Sequence, residues 1–478
     1  MLDRNESLRS GAVRPAPGSI SDAYARFAHG LKHDDIPAAV RSRALHHILD
    51  AVGIGYASAR QDYGRVAYEG LGSIAGAGPV PVFGFSGRWA GRDAATINGL
   101  LCHGLDFDDT HLRGVIHPTV SQFPAAFSAA IMSGASTEEM VTAYVIGVEA
   151  ATRLASVAHG AFHQVGFHPS GMCNAPAAAL TAGRLMGLTV EQLRHAQGIA
   201  LSMASGTLEF LEDGAWTKRL HPGWAASAGI TAAAMAKAGY VGATSPYSGR
   251  FGLFRSYLGG DDSVCDWPAA TAGLASDWEL LQTAIKPYPA CHLTHGCIDA
   301  AIVLSKRHEI RPGDIASIRG LVAEGMVQTI CEPIENKRRP KNGYDAQFSI
   351  PYLVSNALVK GRVTVADLEP EALADPVILG LAALTDYETD PKSGYPRHYS
   401  GEVIVTLKDG TVLRERAQVN SGAPDMPVSD AGIVEKFHGN AEVALTPEKA
   451  AVLAEIILSA DRPGVGSERW AARIAEVN

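Results

Sequence analysis

The stretch HGLDFDDTHLRGVIHPT, His103 to Thr119, gathers three histidines, three aspartates and two threonines. Three chemistries suit such a cluster: a metal site, an acid/base site for a small anionic substrate, or a polar helix end. The run before it, ATINGLLCHGL, spaces apolar residues as a helix does. A helix carried on to Thr110 would place His103, Asp106 and Thr110 on one face, at offsets of three and four. His117, followed by Pro118, falls in the loop beyond, where an imidazole can exchange protons near neutral pH. Thr119 is placed to cap the next helical run. For a metal, DFDDT is too rich in oxygen for structural zinc, and it is neither an EF-hand loop nor HExxH. Magnesium between Asp106 and Asp109 is the metal alternative that stays open.

Three other loop-to-helix junctions carry similar residues. HQVGFHPSGMCNAPAAAL sets His163 and His168 before an Ala-rich helix, whose N-terminal NH groups and dipole suit a carboxylate. AWTKRLHPGWAASAG puts Lys218, Arg219 and His221 ahead of a second small-residue helix, and KPYPACHLTHGCIDAA carries Lys286, His292 and His295. Any one junction alone is more often structural. Four together point to a single anion-binding site in which fixed cations clamp carboxylates and histidines move protons.

The elements that must position these residues follow from the rest of the chain. It has 478 residues, 46% hydrophobic and 19% charged, which is the composition of a folded protein and excludes charge-driven disorder of its body. With 41 Lys and Arg against 50 Asp and Glu, the net charge of -9 argues against a nucleic-acid partner. The six cysteines are scattered without a CxxC and read as reduced thiols. The polar start MLDRNESLRSGAVRPAPGSI has no signal-peptide core, and no 18-residue apolar run follows, so the expectation is a cytoplasmic protein with no membrane partner and a flexible tail over 1–20.

From Ser21 to Trp278 the pattern is helical, with capping boxes at Ser136/Glu139 and Thr189/Gln192. NAPAAALTAGRLMG and GWAASAGITAAAMAKAG are rich enough in Ala and Gly to predict closely packed, buried helices. After Leu280 the character changes. ASIRGLVAEGMV is strand-like, Gln347–Gly361 reads as a helix, and GEVIVTLKDGTVLRERAQV reads as a hairpin about Asp409-Gly410. Thr446 and Pro447 then open a helix again. The expected fold class is therefore mainly α. A large all-α helical domain comes from 21–280 and 429–478, with a smaller α+β lid domain inserted at 281–428. The glycine-rich run Gly70–Gly84 has the wrong spacing and no preceding strand, so it is not a dinucleotide fingerprint.

LHHILDAVGIGYASA, NGLLCHGLDFDDTH, GFHPSGMCNAPAAA, KRLHPGWAA, SGRFGLF, IKPYPACHLTHGCIDA, DAQFSIPYLVSNAL and MPVSDAGIVEKFHG resemble, in order, the sequence blocks of the MmgE/PrpD family. That family includes 2-methylcitrate dehydratase, cis-aconitate decarboxylase and iminodisuccinate epimerase. The resemblance implies the same helical domain and inserted lid, a homodimer, no metal, no organic cofactor and a small polycarboxylate substrate. It implies active-site positions at Asp106, Thr110, His117, His168, Lys218 and His295, with His221 and Lys286 also in matched blocks.

On this reading His117 is the leading acid/base and Asp106 a histidine-orienting group or second base. His168 and His295 supply further proton transfer, while Thr110, Lys218, His221 and Lys286 bind substrate carboxylates or hydroxyls. Asp108, Asp109 and His111 are expected to be structural, and Arg113 to face solvent. The reaction expected is dehydration or decarboxylation next to a carboxylate. The alternatives are an isomerase or epimerase on a related dicarboxylate and a catalytically silent relative; the intact residue set argues against the last. The block departs from the dehydratase pattern, with FDDT where that pattern has FNDT, and differs again through HLRGVIHPT, leaving the substrate open.

Overall fold

The computed structural model describes residues 15, 16 and 18–478, so most of the expected N-terminal tail lies outside the described residues. The first regular element is the helix Ser19–Gly30. The chain is mainly α, with small sheets only. One hydrophobic core takes residues from Ile20 to Leu280 and again from Phe437 to Val477. A second takes residues from Ala284 to Ala423, joined by Leu112.

In the larger core the Ala- and Gly-rich helices stack almost backbone to backbone. Thr217–Lys237 lies against Gly91–His103 and Asn174–Leu185. A Cβ built on Gly223 would sit 2.0 Å from the Thr96 carbonyl oxygen, and one on Gly99 would sit 2.6 Å from the Gly223 Cα. Close packing of this kind fixes the start of Thr217–Lys237, and with it Lys218, against the end of Gly91–His103. Thr137–Val157 is the one helix among the described residues long and apolar enough to cross a membrane, and it is wholly buried within this core.

The second core is built on a four-stranded sheet in the order Thr385–Thr389, Ile315–Val322, Gly401–Leu407, Val412–Ala417. The first pair is parallel and the others antiparallel. The hairpin turn falls at Asp409-Gly410, where Gly410 takes φ 91°, a conformation only glycine adopts without strain. Helices His295–Arg307 and Ile350–Lys360 pack beside this sheet.

The capping signals at Ser136, Thr189 and Thr446 correspond to real helix starts, whereas Thr119, expected to cap, is the first residue of the helix Thr119–Ser133, which has no side-chain cap, and gives its hydroxyl to Asp109. Ser136 accepts the Glu139 N–H, Thr189 and Gln192 form a reciprocal capping box, and Thr446 caps the helix that opens at Pro447. The run Gly70–Gly84 ends one helix, Asp62–Gly72, and carries the short strand Ala77–Pro81.

One expected element differs. The helix before the Asp-rich stretch stops at His103 and does not reach Thr110. Asp106 takes a left-handed φ of 48°, which a continuing helix cannot accommodate. This strained turn is held from three sides: Arg219 Nε donates to the Gly104 carbonyl at 2.7 Å, Gln347 Nε2 to that of Leu105, and Lys286 Nζ to that of Asp106 at 2.7 Å. Thr110 and His111 form instead a two-residue strand paired with Thr283 and Ala284, tying the stretch to the start of the second core.

Candidate active site

A cavity lies between the two cores. From the first, Asp106, Thr110, His117, His163, His168 and Lys218 reach its wall; from the second, Lys286, Cys291, His292, Phe348 and Tyr399 do. Val115, Leu208, Phe210, Leu211 and Leu293 complete an apolar side.

Asp106 is the electrostatic hub. Lys218 Nζ meets one carboxylate oxygen and Lys286 Nζ the other, each at 2.7 Å, and all three side chains are buried. Burial by itself would raise the carboxyl's pKa, but the two ammonium charges outweigh it and hold Asp106 well below the ordinary carboxylate range. For Lys286, burial works against the charge while Asp106 more than compensates, so its pKa is raised. A carboxylate held this way is ill suited to take a proton. The geometry gives Asp106 a part different from the second base expected of it: it anchors the two lysines and leaves the trio with one net positive charge.

His117 is fixed through both backbone and ring. Its N–H donates to Ser170 Oγ at 3.1 Å, and its carbonyl accepts from Asn174 Nδ2 at 2.9 Å. Ring atom Nδ1 lies 2.7 Å from the Asp109 carbonyl oxygen, a group that can only accept, so Nδ1 carries the hydrogen. Thr110 Oγ1 lies 3.4 Å from the same nitrogen. That leaves Nε2 as the nitrogen open to exchange a proton, 3.9 Å from an Asp106 oxygen.

Around it stand the rings of His103 and His168, with centroids 4.8 and 5.9 Å away. Burial depresses the basicity of the neighbouring imidazoles: His103 falls to about 4 and His163 to about 3, while His168 and His292 fall well below the usual range. Burial thus favours the neutral form of each around pH 7.

Two expected residues stand back from the wall. His221 lies behind His168, with their Nδ1 atoms 3.1 Å apart, and does not line the cavity. His295 lies behind His292, ring centroids 4.5 Å apart, its Nε2 3.3 Å from the Ala290 carbonyl oxygen. The wall position belongs to His292, whose Nε2 accepts from Asn420 at 2.7 Å and whose Nδ1 has no hydrogen-bond partner. A short 3-10 turn over His292–Thr294 decides which imidazole faces inward, and the spacing of the motif does not reveal it.

Asp109 faces away from the cavity. Its carboxylate accepts from Thr119 and lies 2.9 Å from His47 Nδ1, so the Asp106–Asp109 pair weighed for magnesium is not formed. Ring nitrogens of His103, His117 and His168 do come within 4.8 Å of one another, as do ligand atoms of His103, Asp106, Asp108 and His117, but in the second group both carboxylates are already engaged by lysines or imidazoles. His111 and Arg113 both pair with Glu279, outside this cavity. Burial and the nearby Asp106 charge raise the Cys291 thiol and keep it protonated.

The chain whose two cores enclose this histidine- and lysine-lined cavity belongs to the MmgE/PrpD family. The MmgE/PrpD N-terminal domain matches residues 22–265 and the MmgE/PrpD C-terminal domain residues 288–462. Among its relatives, a cis-aconitate decarboxylase-like protein, oryM, of Aspergillus oryzae is 25% identical, covering 94% of this chain and 96% of its own. Cis-aconitate decarboxylase of Homo sapiens is 26% identical over 92% of this chain and 91% of its own. A 2-methylcitrate dehydratase of Cupriavidus necator is 26% identical over 61% of this chain and 62% of its own.

Proposed function

We propose that this chain, a lyase of the dehydratase or decarboxylase type, acts on a small di- or tricarboxylate through His117 as its acid/base. The observation that carries the reading is the His117 ring: Nδ1–H is fixed on the Asp109 carbonyl, and Nε2 is left free 3.9 Å from the Asp106 carboxylate that Lys218 and Lys286 share. Relatives named for cis-aconitate and 2-methylcitrate, both small tricarboxylates, support the substrate class.

In a dehydration, Nε2 takes the proton from the carbon next to a carboxylate, the electron pair forms the new double bond, and hydroxide leaves with a proton from an acid group. In a decarboxylation, which starts with a proton taken up from solvent on Nε2, the C–C bond to the departing carboxylate breaks, carbon dioxide leaves, and the pair left on carbon takes that proton from His117. Both routes build negative charge beside a carboxylate. Lys218 and Lys286, both buried, would hold that charge where fixed charges act strongly. His292 Nδ1, unpartnered in the wall, offers a donor to a second substrate oxygen, and Thr110 offers a hydroxyl.

The test incubates the purified protein with citrate-like, aconitate-like and iminosuccinate-like acids and weighs the products. Loss of water or of carbon dioxide supports the reading. An unchanged mass with deuterium uptake from heavy water would replace it by an epimerase, and no reaction with any acid would refute it.

A further inference from the structure

Asp108 was expected to be a structural residue of the Asp-rich stretch, yet its fully buried carboxylate is shared by two imidazoles. His103 Nδ1 lies 2.9 and 3.0 Å from its two oxygens, and His117 Nδ1 lies 3.3 Å from one of them. The sharing is unequal: His103 takes both oxygens at full hydrogen-bond distance, and His117 takes what is left. His103 in turn presents an Nε2 that is buried and has no partner, so Asp108 is the one hydrogen-bond partner of its ring among the described residues.

We propose that Asp108 is a positioning residue for His117, tuning its proton affinity, and that His103 sets how much of the Asp108 charge His117 receives. The tautomer of His117 does not need Asp108, because the Asp109 carbonyl at 2.7 Å already holds the Nδ1 hydrogen. What Asp108 adds is negative charge beside a ring that becomes positive when it takes the substrate proton. A buried carboxylate next to an imidazole favours the imidazolium, much as the acid of a Ser-His-Asp triad does without itself accepting the proton. His103, kept neutral by burial, draws that carboxylate toward itself and weakens the effect.

The other groups facing His117 are Asp106 with its two lysines at the Nε2 side, the ring of His168, and the more distant His163 and His292. None of them is altered in the variants that follow.

The inference rests on His117 being the acid/base, but its test does not need turnover. With ring-nitrogen-labelled histidine, the His117 signal is assigned by its loss in His117→Gln and titrated by NMR in the full chain. Asp108→Asn removes the charge and keeps the shape, and should lower the His117 pKa by at least about one unit. His103→Leu, which leaves the carboxylate to His117 alone, should raise it. Opposite shifts from two neighbouring substitutions are not what a merely structural role produces. With 2-methylcitrate, where His117 would act as the base, Asp108→Asn should also cut kcat about tenfold or more at constant KM and carry the acid limb of the pH profile to lower pH; with cis-aconitate, where it would act as the acid, the alkaline limb should move to lower pH. A His117 titration that stays put, or moves the same way in both variants, overturns the proposal. Should Asp108→Asn fail to fold, the rise in His103→Leu decides alone. Failure of every acid to react, with the opposite shifts intact, would refute the lyase reading and leave the pairing standing.

Discussion

Replacing Asp106 with Asn removes the one charge that two buried ammonium groups share. Lys218 and Lys286 each sit 2.7 Å from it, and Lys286 is fully buried. Breaking a buried ion pair so that its partner is left uncompensated costs about 3–5 kcal/mol, and here two partners lose the same counter-charge. Lys218→Met is a milder change, because Asp106 keeps Lys286; loss of one charged hydrogen bond costs about 1–3 kcal/mol. The double variant strands one ammonium instead of two. Its destabilisation should therefore fall short of the sum of the single effects by about 1–3 kcal/mol, the coupling usual for residues in one ion network. Urea unfolding at pH 7, followed by circular dichroism and compared at constant slope, reads all three values. Strict additivity, or an Asp106→Asn chain as stable as the wild type, would show that the two lysines do not depend on this carboxylate and would refute the hub.

Gly223→Ala should destabilise the chain by about 1–3 kcal/mol in the same urea experiment, since the added methyl lands 2.0 Å from the Thr96 carbonyl oxygen between backbones that cannot part freely. Cys291→Ser should keep kcat within a few-fold in the mass-resolved assay, because a thiol held protonated is no nucleophile. Acid should weaken the fold through His103. Its pKa drops from 6.5 to about 4 on folding, so the unfolded chain binds the extra proton first and stability is lost as pH falls from 6.5 towards 4. That shift corresponds to about 3 kcal/mol, and urea midpoints at pH 7 and pH 4 should show the loss reduced by that order in His103→Leu.

The broad plan was legible in the residues because it follows from patterning: small-residue helices that must pack closely, a change to alternating strands after Leu280, and a glycine turn at Asp409-Gly410. Asp106, Thr110, His117, His168, Lys218 and Lys286 were visible as chemistry-bearing types at loop-to-helix junctions, and they do line one cavity. Periodicity misled where the backbone leaves the helix. The left-handed turn at Asp106 breaks the assumed helical face, and for that reason Asp108, set aside as structural, sits against His117. Likewise a single 3-10 turn exchanges His295 for His292 at the wall. The apolar side formed by Leu208, Phe210 and Leu211 left no signal, because an ordinary hydrophobic run reveals nothing of the cavity it borders.

The central claim is that His117 moves the substrate proton, and the most direct measurement is kcat and KM of His117→Gln on whichever acid the wild type converts. The account predicts kcat lower by about 10²–10⁴-fold with substrate binding preserved, the contribution usual for a positioned acid/base. A variant retaining kcat within a few-fold, with an unaltered pH profile, would contradict it.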